Sequence, residues 1–329
     1  MPLAEKALIA EIRRVAAGAG LKSGYGSTRL IPTGIGDDCA VLHLPASRDL
    51  LVTTDFSLEG VHFRREWHAP EVVGRRCLVR GMSDIAAMGG EPVACFLSLA
   101  LPHDLPQAWV RGFMRGLMGL AKKYEIVLAG GDTAQSPAGI LADIVVVGAV
   151  PKGKAILRSR ARPGDRIYVS GELGGSAAAV VELMRHPKKR LHSRSYPRHF
   201  RPKPRIELGH VLREKRLASA MIDTSDGLST DLSHICEESG VGAELDATLI
   251  PRARVGRPLR EVDLGLALHG GEDYELLFTV PRGKRIPPRM DGVRLTEIGR
   301  ITRGRKILLC GEDGTAQELR ARGWEHLRE

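Results

Sequence analysis

The sequence predicts a mixed α/β protein, helices layered on sheets, in two domains. Two observations carry this. The chain has 329 residues, more than one ordinary hydrophobic core serves, so two domains are the default. Apolar strand-like runs alternate with helical spacings, and the runs repeatedly end on glycine and a carboxylate.

The elements follow in order. Residues 4–17 place Leu8, Ile12 and Val15 at helical spacing. A glycine-rich loop fills 18–27, and no P-loop pattern occurs there or elsewhere. Residues 39–44 and 49–55 predict two strands, the second delivering Asp55 behind Thr53 and Thr54. A lone histidine such as His62, in Glu59-Gly60-Val61-His62-Phe63, is more often structural than a ligand. Residues 70–88 predict a helix, opened by Pro70, stopped by Gly89-Gly90 and carrying Asp84 near its end. A strand (93–101), a helix (105–124) and a strand (126–129) lead to Gly130-Gly131-Asp132-Thr133, and 140–150 is another apolar strand.

Proline, glycine and basic residues dominate 151–164, which marks the boundary between domains 1–150 and 151–329. After a strand at 166–170, Gly171-Glu172-Leu173-Gly174-Gly175-Ser176 enters an alanine-rich helix. Such glycines either offer backbone N–H groups to a phosphate or form a plain tight turn. The run 185–205 holds Lys188, Lys189, Arg190, Arg194, Arg198, Arg201 and Lys203, and reads as a solvated loop. Helices at 206–216 and 228–238 flank a strand at 218–223 that delivers Asp223 and Asp226. Further strands fall at 242–250 and at 274–280, the latter straight after Gly270-Gly271-Glu272-Asp273.

Composition bounds the function. Hydrophobic residues at 43% and charged residues at 27% suit a soluble globular protein. Aromatics are only 4%, which leaves no evident stacking surface for nucleic acid. The net charge of +10 admits nucleic acid, a membrane surface or an anionic small substrate. Five scattered cysteines without a Cys-x-x-Cys pattern predict reduced thiols in a cytoplasmic protein. The first residues hold no apolar signal core, and no apolar run is long enough to span a bilayer, so no membrane association is expected.

Carboxylates beside glycines suit hard cations, because magnesium takes oxygen ligands from a few carboxylates and from substrate phosphates. Gly34-Ile35-Gly36-Asp37-Asp38 alone is equally a surface turn. Its recurrence at Asp55, Asp84, Asp132, Asp223 and Asp226 points to an acidic cleft.

Six motifs together resemble the thiamine-monophosphate kinase family, of the superfamily that includes aminoimidazole ribonucleotide synthetase. They are Gly34-Ile35-Gly36-Asp37-Asp38-Cys39-Ala40, Thr53-Thr54-Asp55 with Glu59-Gly60-Val61-His62-Phe63, and Ser83-Asp84-Ile85-Ala86-Ala87-Met88-Gly89. Gly130-Gly131-Asp132-Thr133, Ser225-Asp226-Gly227-Leu228 and Gly270-Gly271-Glu272-Asp273-Tyr274-Glu275-Leu276 follow in the same order. The resemblance implies a two-domain aminoimidazole ribonucleotide synthetase-like fold. Its N-terminal α/β domain would dimerise through its sheet, and its C-terminal α/β domain would complete the active site.

The resemblance also implies that ATP gives its γ-phosphoryl group to thiamine phosphate. Asp38, Thr53, Thr54, Asp55, Asp84, Asp132, Asp223 and Asp226 would surround several magnesium ions, the six aspartates forming the catalytic set. Gly131, Asp132, Arg158 and Ser225 would meet ATP, and His62, Glu272 and Trp324 would meet thiamine phosphate. Met114 stands where the family is expected to carry an aromatic residue near the nucleotide. The competing readings are a sibling ATP-dependent synthetase and, from its charge, a nucleic-acid-binding module. A selenophosphate-synthetase role is disfavoured because no cysteine lies near the N-terminus, and a hydrogenase-maturation role because the sequence ends without cysteine.

Overall fold

The structure, a computed structural model, describes residues 3, 5–18, 30, 31, 35 and 39–324. The chain divides into two compact units, Met1–Ile85 with Gly90–Gly153, and Ala86–Gly89 with Lys154–Glu329.

The first unit contains α1 (Glu5–Gly18), β1 (Arg48–Leu58), α2 (Pro70–Ala87), β2 (Glu91–Pro102), α3 (Gln107–Lys123), β3 (Val127–Ser136) and β4 (Leu141–Pro151). Its four strands are ordered β1-β4-β2-β3, antiparallel except for the parallel pair β2/β3. Strand side chains alternate between faces. Leu51, Thr53, Asp55 and Ser57 therefore share the less exposed face, and Leu50, Val52, Thr54 and Phe56 the other. α2 packs on the first face, because a side chain added at Gly81 would meet Val146 and Thr53. α3 buries Phe113, Met114, Leu117 and Leu120 along one stripe and ends on Lys122 and Lys123, cations that suit a helix C-terminus. Met114 is thus a core residue, 3% exposed.

Three predicted boundaries in this unit shift. Residues 39–44 form no strand; Ala40 and Leu42 instead pack against Ala94, Ala129 and Val147 on the sheet. β1 runs past Asp55 to Leu58, so Asp55 stands inside a strand rather than at its end. β3 likewise continues through Gly130-Gly131-Asp132, pairing in parallel with β2 across a register shift at Cys95/Phe96.

The second unit contains β5 (Arg166–Ser170), α4 (Gly175–Arg185), α5 (Pro197–Phe200), α6 (Ile206–Glu214), β6 (Ala220–Asp223), α7 (Leu228–Ser239), β7 (Gly242–Asp246), β8 (Arg254–Val255), β9 (Arg260–Glu261), α8 (Leu264–His269), β10 (Leu276–Val280), β11 (Arg289–Met290), β12 (Val293–Thr302), β13 (Ile307–Cys310) and β14 (Ala316–Glu318). An eight-stranded sheet is ordered β14-β13-β7-β12-β5-β10-β6, with β11 on β12. Its core gathers Ile167, Val169, Ile222, Leu228, Leu232, Leu277 and Ile298.

β7 stops at Asp246 because that side chain accepts from Thr248 N at 2.8 Å and turns the chain into a 3-10 helix. β10 starts at Leu276 rather than 274, because Glu272 and Tyr274 adopt φ of 65° and 52°. All five cysteines are free, and no described helix is long and apolar enough to cross a membrane.

Candidate active site

In the first unit, β1 and α2 bring three predicted residues together. Thr53 Oγ1 donates to Asp84 Oδ2, and Asp55 lies on the same face of β1 as Thr53. The Asp55 carboxyl is pushed up to about 7, first by burial and then by the neighbouring Asp84 carboxylate; the Arg80 guanidinium opposes this, and Asp143 adds to it. Such a carboxyl keeps its proton up to about pH 7 unless a cation takes the proton's place.

Thr54 turns to the other face and donates to Asp143 Oδ1 at 2.7 Å. Asp143, Ser98 and Asp132 stand opposite one another across β4, β2 and β3, so one row of the sheet carries two carboxylates. Asp143 is not among the residues expected from the sequence. Its signal was an acidic residue inside the apolar run Leu141-Ala142-Asp143-Ile144-Val145-Val146. Asp38 lies outside the described residues.

Gly131 is bound to its place by backbone geometry. Its φ is +149°, and an added Cβ would lie 1.9 Å from Leu97 O. His62 accepts from Leu58 N at its Nδ1, 3.0 Å away. With Nδ1 accepting, the ring proton sits on Nε2, which makes that nitrogen a donor.

In the second unit two loops run side by side. Asp223 stands opposite Leu276 in the β6/β10 register. Beyond it, Glu275 O accepts from Thr224 N at 2.8 Å, Thr224 O from Tyr274 N at 3.0 Å, and Ser225 O from Glu272 N at 2.8 Å. This ladder brings Asp223, Ser225, Asp226 and Glu272 together. Trp324 joins them through its main chain, whose N–H donates to Asp226 O at 3.0 Å, while its residue stays 52% exposed. Gly323 permits this approach, since a Cβ there would sit 2.1 Å from the same oxygen. Arg158 is exposed on a short 3-10 turn whose carbonyl accepts from Ser239 Oγ at 2.8 Å.

Asp231, also missed, sits in the first turn of α7 and accepts from Gly227 N at 3.0 Å. Its carboxyl is pushed well above the usual range, first by burial and then by Asp223 and Asp226. Its Oδ1 is buried without a hydrogen-bond partner. Among the described residues, no three His, Cys, Asp or Glu side chains converge closely enough to hold an ion unaided.

Two sequence readings need correction. The phosphate reading of Gly171 to Ser176 fails, because the N–H groups of Gly174 and Ser176 donate to Asp273. An internal carboxylate thus takes the place a phosphate would need. The 185–205 run is also more than a solvated loop: Arg198 and Arg205 both pair with Glu275, which is fully buried.

The Asp273 carboxyl is pushed up to about 7, chiefly by burial; the Ser176 and Gly174 N–H groups and Arg198 oppose this, while Glu275 reinforces it. A native carboxyl that holds its proton longer than the unfolded chain favours folding at low pH. That contribution is lost as pH rises from the ordinary 3.8 toward about 7. Asp273→Asn is therefore expected to flatten the fall in Tm over that window. Parallel Tm–pH curves for variant and wild type would contradict it.

This pair of α/β units with carboxylate-bearing strands is of the AIR synthase related class. The N-terminal and C-terminal domain models of AIR synthase related protein match residues 36–153 and 162–309. The chain is 38% identical over 312 residues to thiamine-monophosphate kinase of Salmonella typhimurium, covering 91% of this chain and 94% of that one. The crystal structure of thiamine-monophosphate kinase from Stenotrophomonas maltophilia superposes with a TM-score of 0.80 at 37% identity, covering 96% and 99%. AaThiL complexed with AMPPCP and TMP superposes with a TM-score of 0.76 at 34% identity, covering 89% and 92%. The chain belongs to the thiamine-monophosphate kinase family.

Proposed function

We propose that this chain transfers the γ-phosphoryl group of ATP directly to the phosphate of thiamine phosphate, making thiamine diphosphate. The reading is supported by relatives that share the whole two-domain architecture, one of them complexed with AMPPCP and TMP. The observation that carries it is the Thr53–Asp55–Asp84 group, two crowded carboxyls beside a hydroxyl, an oxygen-rich place that suits a cation.

Asp38, Thr53, Thr54, Asp55, Asp84, Asp132, Asp223 and Asp226 would hold magnesium. Magnesium, when bound, neutralises and orients phosphate oxygens. Gly131, Asp132, Arg158 and Ser225 bind ATP in this reading, and His62, Glu272 and Trp324 bind thiamine phosphate. The Nε2–H of His62 suits a phosphate acceptor. An attacking phosphate oxygen is already ionised near neutral pH, so no nucleophilic side chain is required; positioning and electrostatics supply the rate. The active form is a homodimer through the first sheet, whose exposed Leu50, Val52 and Phe56 suit a second copy. Five free thiols fit a reducing cytoplasm.

The direct test is incubation with ATP, magnesium and thiamine phosphate, with thiamine as a parallel acceptor and the product identified by mass. Thiamine diphosphate should appear from thiamine phosphate alone. Initial rates should be sequential in both substrates. Parallel double-reciprocal lines would instead signal a phosphorylated enzyme.

Trp324 supplies a separate prediction. Its main chain fastens the tail through Asp226 O, and Gly323 N donates to Thr230 Oγ1 at 3.0 Å. An indole over the cationic thiazolium is worth about 1–2 kcal/mol, a roughly 5- to 30-fold change in affinity. Trp324→Ala should raise KM for thiamine phosphate with kcat and KM for ATP nearly unchanged, and Trp324→Phe should recover part of the loss. A lowered Tm with normal thiamine phosphate binding would make Trp324 a structural residue.

A further inference from the structure

Glu275 is an unusual carboxylate. It is 0% exposed, yet three side chains converge on it. Arg198 Nη1 donates to Oε1 at 2.5 Å. Arg205 grips both oxygens, Nε reaching Oε2 at 2.7 Å and Nη2 reaching Oε1. Ser170 Oγ donates to Oε2 at 2.5 Å and accepts from Leu276 N at 2.9 Å. A buried carboxylate with two guanidiniums is firmly placed, since removing a partner leaves charge uncompensated.

The two arginines come from the basic 185–205 run, which carries none of the residues of the catalytic reading. Arg198 lies in the single-turn α5, and Arg205 immediately precedes α6. The stretch is itself anchored. His199 and Phe200 are buried, and His199 Nδ1 lies 3.0 Å from Ser176 Oγ at the start of α4. Arg198 also reaches Glu172 at 3.2 Å.

The backbone beside Glu275 is strained. Glu272 and Tyr274 both have left-handed φ, 65° and 52°, which side chains other than glycine and asparagine rarely adopt. Such conformations persist where surrounding contacts over-determine them. Here Asp273 is tied to α4 on one side, and Glu275 to the arginines on the other. Glu272 is the strained residue that bonds the Asp223–Asp226 loop, its N–H donating to Ser225 O.

We infer that Arg198 and Arg205 are positioning residues for substrate recognition: by clamping Glu275 they hold Glu272 in the backbone conformation from which it meets thiamine phosphate. The inference rests on the role given to Glu272 above. Neither arginine touches the substrate. Their effect passes along 272–275 to Glu272.

The test compares Arg198→Met and Arg205→Met, each of which leaves Glu275 with one guanidinium, and Arg198→Lys as the conservative variant. Each Met variant is expected to raise KM for thiamine phosphate about tenfold, with kcat and KM for ATP within about twofold, because preorganisation is lost rather than a reacting group. Arg198→Lys should restore most of the loss. Amide exchange, measured without substrate, should quicken at Glu272 and Tyr274 while β12 keeps its protection. Equal rises in both KM values, or exchange that is unchanged or raised throughout the second unit, would overturn the clamp and leave a merely structural ion pair. A wild-type chain that leaves thiamine phosphate unmodified overturns the functional reading instead. The exchange experiment then decides the clamp by itself.

Discussion

Asp55→Asn is expected to lower kcat by about a thousandfold or more, a loss of at least ~4 kcal/mol of transition-state stabilisation. The amide keeps the shape of the carboxylate and removes its charge. Asp55 is the point where burial, Asp84 and Asp143 all act against ionisation, while Arg80 acts for it. An ionised group in such company is retained at a cost to the fold, which a bound cation offsets. The variant should therefore fold at least as well as wild type in the absence of divalent ions while losing turnover. Asp226→Asn should fail in the same way, and a chelator should abolish wild-type turnover. The measurements are kcat at saturating magnesium and Tm with and without it. A near-normal kcat would remove Asp55 from the catalytic set.

Gly131→Ala is expected to damage the fold as well as the reaction. The new methyl would lie 1.9 Å from Leu97 O, and φ of +149° is hostile to any side chain. Leu97 is Gly131's partner in the β2/β3 ladder, so relief requires that pairing to shift. Strain and overpacking together cost about 3 kcal/mol, which lowers Tm by about 6–12 °C for a unit of this size. Activity should fall even below the melting range, because Asp132 is the next residue and moves with the strand. A variant that melts like wild type and keeps its KM for ATP would show that β3 accommodates the change.

Much of the fold was legible because apolar runs and helical spacings are local signals. α2, β2, α3 and β4 all fall near their expected ranges. β12 was illegible for a definable reason. Its buried residues, Leu295, Ile298 and Ile301, recur every third position, a helical rhythm in a strand. The register shift between Glu297 and Gly299 explains it, since a bulge reverses the alternation of faces. α8 is only six residues long and too short to show a period.

For the candidate site, aspartates beside threonine, serine or glycine were conspicuous in the sequence, and Asp55, Asp84, Asp223 and Asp226 fall into two carboxylate groups. The supports were not conspicuous. Asp143 sits between apolar residues of a strand, and Asp231 looks like any first-turn helical acid. Arg198 is 77 residues from Glu275, a pairing that no local pattern encodes.

The anchoring of the C-terminal tail has an optical consequence. The chain has three tryptophans, and Trp67 and Trp109 are more enclosed than Trp324. Indole emission moves to longer wavelength with water exposure, so the red edge of the spectrum belongs chiefly to Trp324. Its peptide nitrogen bonds the carbonyl of Asp226, the residue whose carboxylate is proposed to hold a cation. Ion or substrate arrival at that loop should therefore shift and quench the red-edge signal, giving a label-free spectroscopic reporter of occupancy that Trp324→Phe abolishes.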